Sequence, residues 1–340
     1  MRALQLLGER QVRVIDKPEP RPGSGQVVVQ MKAAAICGSD LHGYRHAQPE
    51  DSVIRRFVPG HEPCGVVAEV GPDVRGWSVG DRVVVYHRVT CMACHYCTYG
   101  FRNLCPDRKG AYGFNPDGAD EPYMVANAHD LLPLPDDFSF LDGALFACQV
   151  GTAYNPLKML GVGGRDNVVV SGLGPVGLLA VLLGKAMGAR IIGVDPTPER
   201  RALAEKLGAD AVLDPAAGSV GDAVGALCPG GADKLVETSG VPAAHATIVG
   251  QLRPNGQAAI VGLGTPEPSL NLAQLMYKQI SIVGSNLYPD SDYREILSFV
   301  RQKRVPVADV VTHQMSIEEG PAAFQLADST RGGKVVFRFD

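Results

Sequence analysis

Two textures of apolar patterning divide the chain. Up to about residue 150, short runs rich in Val and Ile, QVRVID (11–16), GQVVVQMKAAAI (25–36), CGVVAEV (64–70) and GDRVVVYHRV (80–89), are bounded by Gly, Pro or Asp. Such runs read as strands broken by turns, and no helical period of comparable strength competes with them. The expectation is a mostly-β domain with long loops, and chemistry belongs in those loops. From about Asn167 the pattern changes. NVVVSG leads into PVGLLAVLLGKAMGA, RIIGVD into PERRALAEKLGA, and further apolar runs follow at DAVLD, DKLVETSG, QAAIVGLG and QISIVGS, with helical candidates such as VPAAHATIVGQL between them. Continuous apolar strands alternating with helices predict a parallel sheet covered on both faces. The last stretch reads as a helix, REILSFVRQKR, and a closing strand, GGKVVFRFD, that returns to the first domain. The predicted division is therefore a β domain at 1–150 with a cysteine lobe at 91–105, an α/β domain at 151–285, and a return to the β domain at 286–340.

At 340 residues the chain is long enough for two domains and a large core. The net charge of -4 argues against nucleic acid as a partner. No run approaches the ~20 apolar residues of a membrane span, and the charged N-terminus MRALQLLGERQVRV does not read as a secretion signal. A soluble, cytoplasmic protein is expected. The eight cysteines then read as metal ligands or core residues and not as disulfides.

Gly172-Leu-Gly174-Pro175-Val176-Gly177 follows an apolar strand and opens an apolar helix. That context turns a weak glycine pattern into a dinucleotide fingerprint. The first glycine makes the turn, the second admits the pyrophosphate backbone, and the third lets helix pack on strand. The helix N-terminus offers free N–H groups to phosphate. Asp195 ends the next strand, where a carboxylate would accept hydrogen bonds from an adenosine ribose. The competing reading is that the glycines only close a turn and Asp195 caps a helix. An acid followed by Pro196 favours NAD, while Arg200 and Arg201 one helical turn on keep NADP open.

Cys91, Cys94, Cys97 and Cys105 offer four soft ligands within one short loop. Zinc takes four thiolates tetrahedrally, and such a closed site is structural. Core cysteines or an iron–sulfur cluster are the alternatives. A second constellation is Cys37-Gly-Ser39-Asp40-Leu-His42 together with Gly60-His61-Glu62, which on its own is equally well read as a core cysteine and a turn histidine.

The segment GHEPCGVVAEVGPDV followed by GWSVGDRVVV resembles the zinc signature of medium-chain zinc-dependent alcohol and polyol dehydrogenases, and CGSD, the four-cysteine loop and GLGPVG occur in that family's order. The resemblance covers essentially the whole chain. It implies a discontinuous GroES-like catalytic domain, a Rossmann coenzyme domain and an active site in the cleft between them. It makes Cys37 and His61 ligands of a catalytic zinc, with Glu62 beside the metal where it can exchange with water. It makes Asp40 the carboxylate that orients His61, Ser39 the hydroxyl that takes the alcohol proton, and His42 the relay towards solvent. In the family's register Cys148 is the third ligand and Thr152 touches the nicotinamide. The chain lacks the Glu-Pro that polyol dehydrogenases often carry here, which argues against a close polyol-dehydrogenase match. Cys64 and Cys228 match no ligand position and read as core or loop residues.

The expected function is a reversible, zinc-dependent hydride transfer from a primary or secondary, possibly polar, alcohol to NAD, with two Zn2+ per chain. The partners expected are a small-molecule alcohol or carbonyl and other copies of the chain in a homodimer or homotetramer. Alternatives are a zinc-independent quinone or enoyl reductase of the same fold, or a non-enzymatic metal- and nucleotide-binding protein. Substrate-pocket candidates are Tyr44, Arg45, His46, Phe57 and His87.

Overall fold

The computed structural model describes residues 1–264 and 270–339. The chain separates into two compact units, one of residues 1–148, 289–293 and 311–340, the other of residues 149–288 and 294–310. In chain order the strands are β1 (Arg2–Gly8), β2 (Gln11–Asp16), β3 (Gln26–Ala35), β4 (Pro63–Val70), β5 (Arg82–Val85), β6 (Arg88–Val89), β7 (Gly110–Ala111), β8 (Tyr123–Asn127) and β9 (Leu131–Pro133) in the first unit. The second holds β10 (Asn167–Ser171), β11 (Arg190–Val194), β12 (Ala211–Leu213), β13 (Ala232–Glu237), β14 (Leu252–Ile260) and β15 (Ser281–Gly284). The first unit ends with β16 (Val311–Met315) and β17 (Lys334–Arg338).

In the first unit, a sheet runs β16-β17-β3-β4-β5-β9, with β8 also pairing to β3. The ten residues of β3 serve two neighbours on one edge: Gln26–Gln30 pair with β8, and Ala33–Ala35 pair with β17. Alternation then sorts side chains to two cores. Val27, Val29 and Met31 pack with Val67, Val83, Val85 and Met124. Val335 and Phe337 of β17 pack with Leu4, Leu6, Tyr44 and Phe324. Each such side chain contributes roughly 1.5–3 kcal/mol by leaving water.

The second unit is a parallel sheet ordered β12-β11-β10-β13-β14-β15. Val168, Val169 and Val170 of β10 are all fully buried, as a strand covered on both faces requires. The helix Pro175–Ala186 begins with Pro at its first turn, where the missing N–H costs nothing, and buries Leu178, Leu179, Val181 and Leu183. Among the described residues, no helix is long and apolar enough to cross a membrane.

The structure corrects the reading of residues 286–340 as one return to the β domain. Residues 294–310, nearly all of the helix Tyr293–Lys303 included, belong to the second unit. Glu295 on that helix accepts from Tyr154 Oη at 2.8 Å and pairs with Lys158 at 2.7 Å. Both partners lie on the helix Gln149–Met159, whose internal Pro156 disguises it in the sequence.

Candidate active site

Cys37 leaves the end of β3, and Ser39 stands at the N-cap of the short helix Asp40–Arg45. Asp40 folds back over that start: its Oδ2 accepts from the Cys37 N–H at 2.8 Å. His61 and Glu62 directly precede β4. They are placed by Gly60, whose φ of +94° is strained for other residues and whose Cβ would fall 2.3 Å from Asp120 Oδ1. Cys148 sits between the helices Phe140–Phe146 and Gln149–Met159. These segments bring one donor atom each from Cys37, His61, Glu62 and Cys148 within 4.8 Å of one another.

The electrostatics are those of a metal cradle. His61 Nδ1 and Asp40 Oδ1 are 2.8 Å apart with both side chains buried, which fixes Nε2 as the nitrogen turned to the cradle. Burial opposes charge on His61, but Asp40 and Cys37 outweigh it and hold the imidazole well above its usual range. A hydrogen bond from the Cys148 thiol holds Cys37 well below the ordinary thiol range and Cys148 well above it. Ser39 Oγ lies 3.3 Å from His61 Nε2. Glu62 is fully buried, and burial pushes it up to about 8 against the pull of Lys334. Lys334 Nζ, also fully buried, donates to Glu62 Oε1 at 2.8 Å.

Lys334 was missed in the sequence because it stands 272 positions from its partner and belongs to no motif. Two rings beside His61 complete the surroundings: His87 at 5.0 Å and Phe114 at 5.4 Å between centroids. His87 is thus the pocket candidate that lies at the cradle. Tyr44 instead meets Phe324 at a tilt in the core, 5.5 Å between centroids, so the structure corrects that reading, and Arg45 is paired with Asp328. His42 is exposed and its ring stacks on His46, 6.3 Å away; its backbone N–H donates to Ser39 O at 3.2 Å, and among the described residues its ring makes no hydrogen bond to the Ser39 hydroxyl. Burial, then the charges of Arg45 and His46, lower its pKa.

The four-cysteine loop forms a second cluster. Its Sγ–Sγ separations are 3.6, 3.8 and 3.9 Å for the pairs 91–105, 94–105 and 91–97. A tetrahedron of thiolates ~2.3 Å from zinc has edges of about 3.8 Å, so the set fits that ion. No disulfide joins any of the eight cysteines. Backbone N–H groups of Ala93 and Cys94 draw Cys91 down to about 6. The loop is fastened by Arg102, which is buried and donates to Thr90 Oγ1 at 3.1 Å, His129 O at 3.0 Å and the Asp130 carboxylate. Cys64 and Cys228 are buried core residues, as read.

In the second unit Gly172 has a φ of +90°, and a Cβ on Gly177 would fall 1.9 Å from Gly172 O. Gly174 precedes the helix start at Pro175 and Val176. Asp195, buried, accepts the Leu173 N–H on Oδ2 and the Thr197 N–H on Oδ1, both at 2.8 Å. Each oxygen keeps acceptor capacity. Arg200 Nη1 is 3.9 Å from Asp195 Oδ2, and Thr152 is buried in the helix Gln149–Met159.

Residues 23–136 match the alcohol dehydrogenase GroES-like domain and residues 175–302 the zinc-binding dehydrogenase domain. An uncharacterised zinc-type alcohol dehydrogenase-like protein, YphC of Escherichia coli K12, is 37% identical over 100% of this chain and 99% of its own length. Sorbitol dehydrogenase of Halalkalibacterium halodurans is 35% identical over 95% of this chain and 94% of its own. The alcohol dehydrogenase TADH of Thermus sp. ATN1 superposes with a TM-score of 0.93 at 28% identity, covering 100% of both chains. The chain belongs to the medium-chain zinc-dependent alcohol and polyol dehydrogenases, with a GroES-like domain and a Rossmann-like domain. Its function is that of an alcohol oxidoreductase.

Proposed function

We propose that the chain oxidises a primary or secondary alcohol with NAD, and reduces the matching carbonyl in reverse, using one zinc held by Cys37, His61 and Cys148 and a second, structural zinc held by Cys91, Cys94, Cys97 and Cys105. The observation that carries this reading is the convergence of two thiols, an imidazole and a carboxylate within 4.8 Å, with Asp40 behind the imidazole. Zinc there, when bound, supplies Lewis acidity that lowers the pKa of a substrate hydroxyl.

The chain's own groups do the rest. Asp40 fixes the His61 tautomer and ring angle. Ser39 Oγ, on the cradle side of His61, accepts the hydroxyl proton. His42 is exposed and its lowered pKa leaves it neutral near pH 7, so it can carry a proton between Ser39's surroundings and solvent. Lys334 holds Glu62 beside the ligands. In the coenzyme unit, the free lone pairs of Asp195 suit two ribose hydroxyls and repel a 2′-phosphate, which supports NAD, and Thr152 bears on the nicotinamide. Small-molecule alcohols are the substrates, and His87 and Phe114 line their approach to the cradle.

The test measures zinc per chain and NADH formation over aliphatic, aromatic, polyol and hydroxy-acid alcohols. Two zinc ions and NAD-linked oxidation of at least one class are expected. A zinc-free chain that reduces quinones or enones with NADPH overturns the proposal.

A further inference from the structure

A buried carboxylate with no part in either metal cluster lies at the end of β13. Glu237 is fully buried, and its two oxygens gather the turn that follows. Oε1 accepts from Ser239 N at 2.8 Å, from Gly240 N at 3.1 Å and from the Ser239 hydroxyl. Oε2 accepts from Gly240 N at 3.1 Å and lies 3.0 Å from His245 Nε2, itself buried on the helix Pro242–Gln251. The backbone N–H groups and the Ser239 hydroxyl all donate to this carboxylate.

The turn so held touches both neighbouring loops. Thr238 N donates to Ser171 O and Thr238 Oγ1 to Gly172 O, each at 2.8 Å. A Cβ on Gly172 would fall 2.8 Å from Ser239 N, so the first fingerprint glycine is required by this neighbour. On the other side a Cβ on Gly262 would fall 2.1 Å from Gly240 N. The loops after β10, β13 and β14 are therefore locked together through residues 237–240.

Their place in the sheet gives the lock its meaning. From β10 the connections run outward one way to β11 and β12, and from β13 the other way to β14 and β15. The crevice at the carboxyl ends of β10 and β13 is the switch point at which doubly wound sheets take a dinucleotide. We propose that Glu237, braced by His245, is a positioning residue for the coenzyme: it holds the 238–241 turn against the glycine turn, so the crevice is preformed. The proposal rests on the dinucleotide reading above. Its energetic content is the entropy of ordering a turn, met on folding and so not met again on binding.

The experiment uses the zinc-loaded full chain and titrates NADH by fluorescence, alongside NAD and alcohol kinetics and thermal unfolding. Glu237→Ala should raise the Kd for NADH about tenfold, the scale of losing one or more charge-assisted hydrogen bonds. KM for NAD should rise in parallel while KM for alcohol holds. Glu237→Gln should restore most of the affinity, because the amide oxygen can accept from Ser239 and Gly240 while its NH2 donates to the other tautomer of His245. Should Glu237→Ala fail to fold, His245→Ala removes one brace and should weaken NADH several-fold. Folded Glu237→Ala or His245→Ala binding NADH within twofold of wild type overturns the proposal, as does Glu237→Gln no better than Glu237→Ala. A wild-type chain that binds neither NADH nor NADPH instead removes the dinucleotide reading itself.

Discussion

The two units assemble their polar chemistry over different distances. In the second, Gly172 and Leu173 form the turn after β10, Gly177 lies on the helix that follows and Asp195 directly follows β11, so the glycine turn and its acid come from one strand–turn–helix–strand unit. In the first, the cradle draws Cys37, His61 and Cys148 from three loops and backs Glu62 with Lys334 from the far end of the chain. The four-cysteine loop of that same unit is as local as the glycine turn. Local sites survive changes elsewhere, whereas a site gathered by long-range strand pairing depends on each contributor. The largest effects should therefore come from the gathered site.

Cys148→Ser attacks the gathered site through the ligand that comes last in the chain. It should cut turnover by roughly a thousandfold or more and lower zinc from two ions towards one, with the fold intact. Metal analysis and activity decide it: a variant with both metals and normal turnover leaves Glu62 as the third ligand. Lys334→Met should remove the cation that Glu62 faces, leave the carboxyl buried as the neutral acid, and cost about 1–3 kcal/mol of stability by urea unfolding. An unchanged midpoint would show the pair to be dispensable.

For the local site, Cys94→Ser should lose one zinc and lower Tm by roughly 6–12 °C, the shift a loss of about 3 kcal/mol produces in a unit of this size. The cradle zinc should stay. If activity vanished while stability and folding held, the loop would be catalytic and the contrast between the two clusters would fail. The smallest effect belongs to the coenzyme unit. Asp195→Ala should raise KM for NAD about tenfold and narrow the preference over NADP, a change of about 1.4 kcal/mol. A wild-type chain that prefers NADP in steady-state kinetics would reverse this assignment.

Legibility in the sequence follows the same division. NVVVSGLGPVG and the four-cysteine loop could be read directly, because in each the chemistry needs residues at fixed short spacing. The parallel sheet was legible because doubly covered strands are continuously apolar. Cys148 was reachable only through family resemblance, since a lone buried cysteine carries no spacing signal. Lys334 and the Phe114 ring were invisible, although His87 was named: nothing in GGKVVFRFD says that its lysine turns inward under a carboxylate. The helix Gln149–Met159 was obscured by Pro156, which tertiary packing overrides. Glu237 lay in plain view within DKLVETSG, yet strand patterning assigns it no partner.

The placement of β17 has a consequence for how the protein is made. It lies inside the sheet of the first unit, between β16 and β3, and brings Lys334 with it. On the ribosome the second unit can close once residue 310 has emerged, while the metal cradle, begun at Cys37, waits for residues 334–338. For most of synthesis β3 offers an open edge over Ala33–Ala35, and Glu62 has no cation to face. Vectorial folding is thus inverted in this chain: the unit started first is finished last, and the thiols and imidazole of its cradle stand open before the sheet that shields them exists.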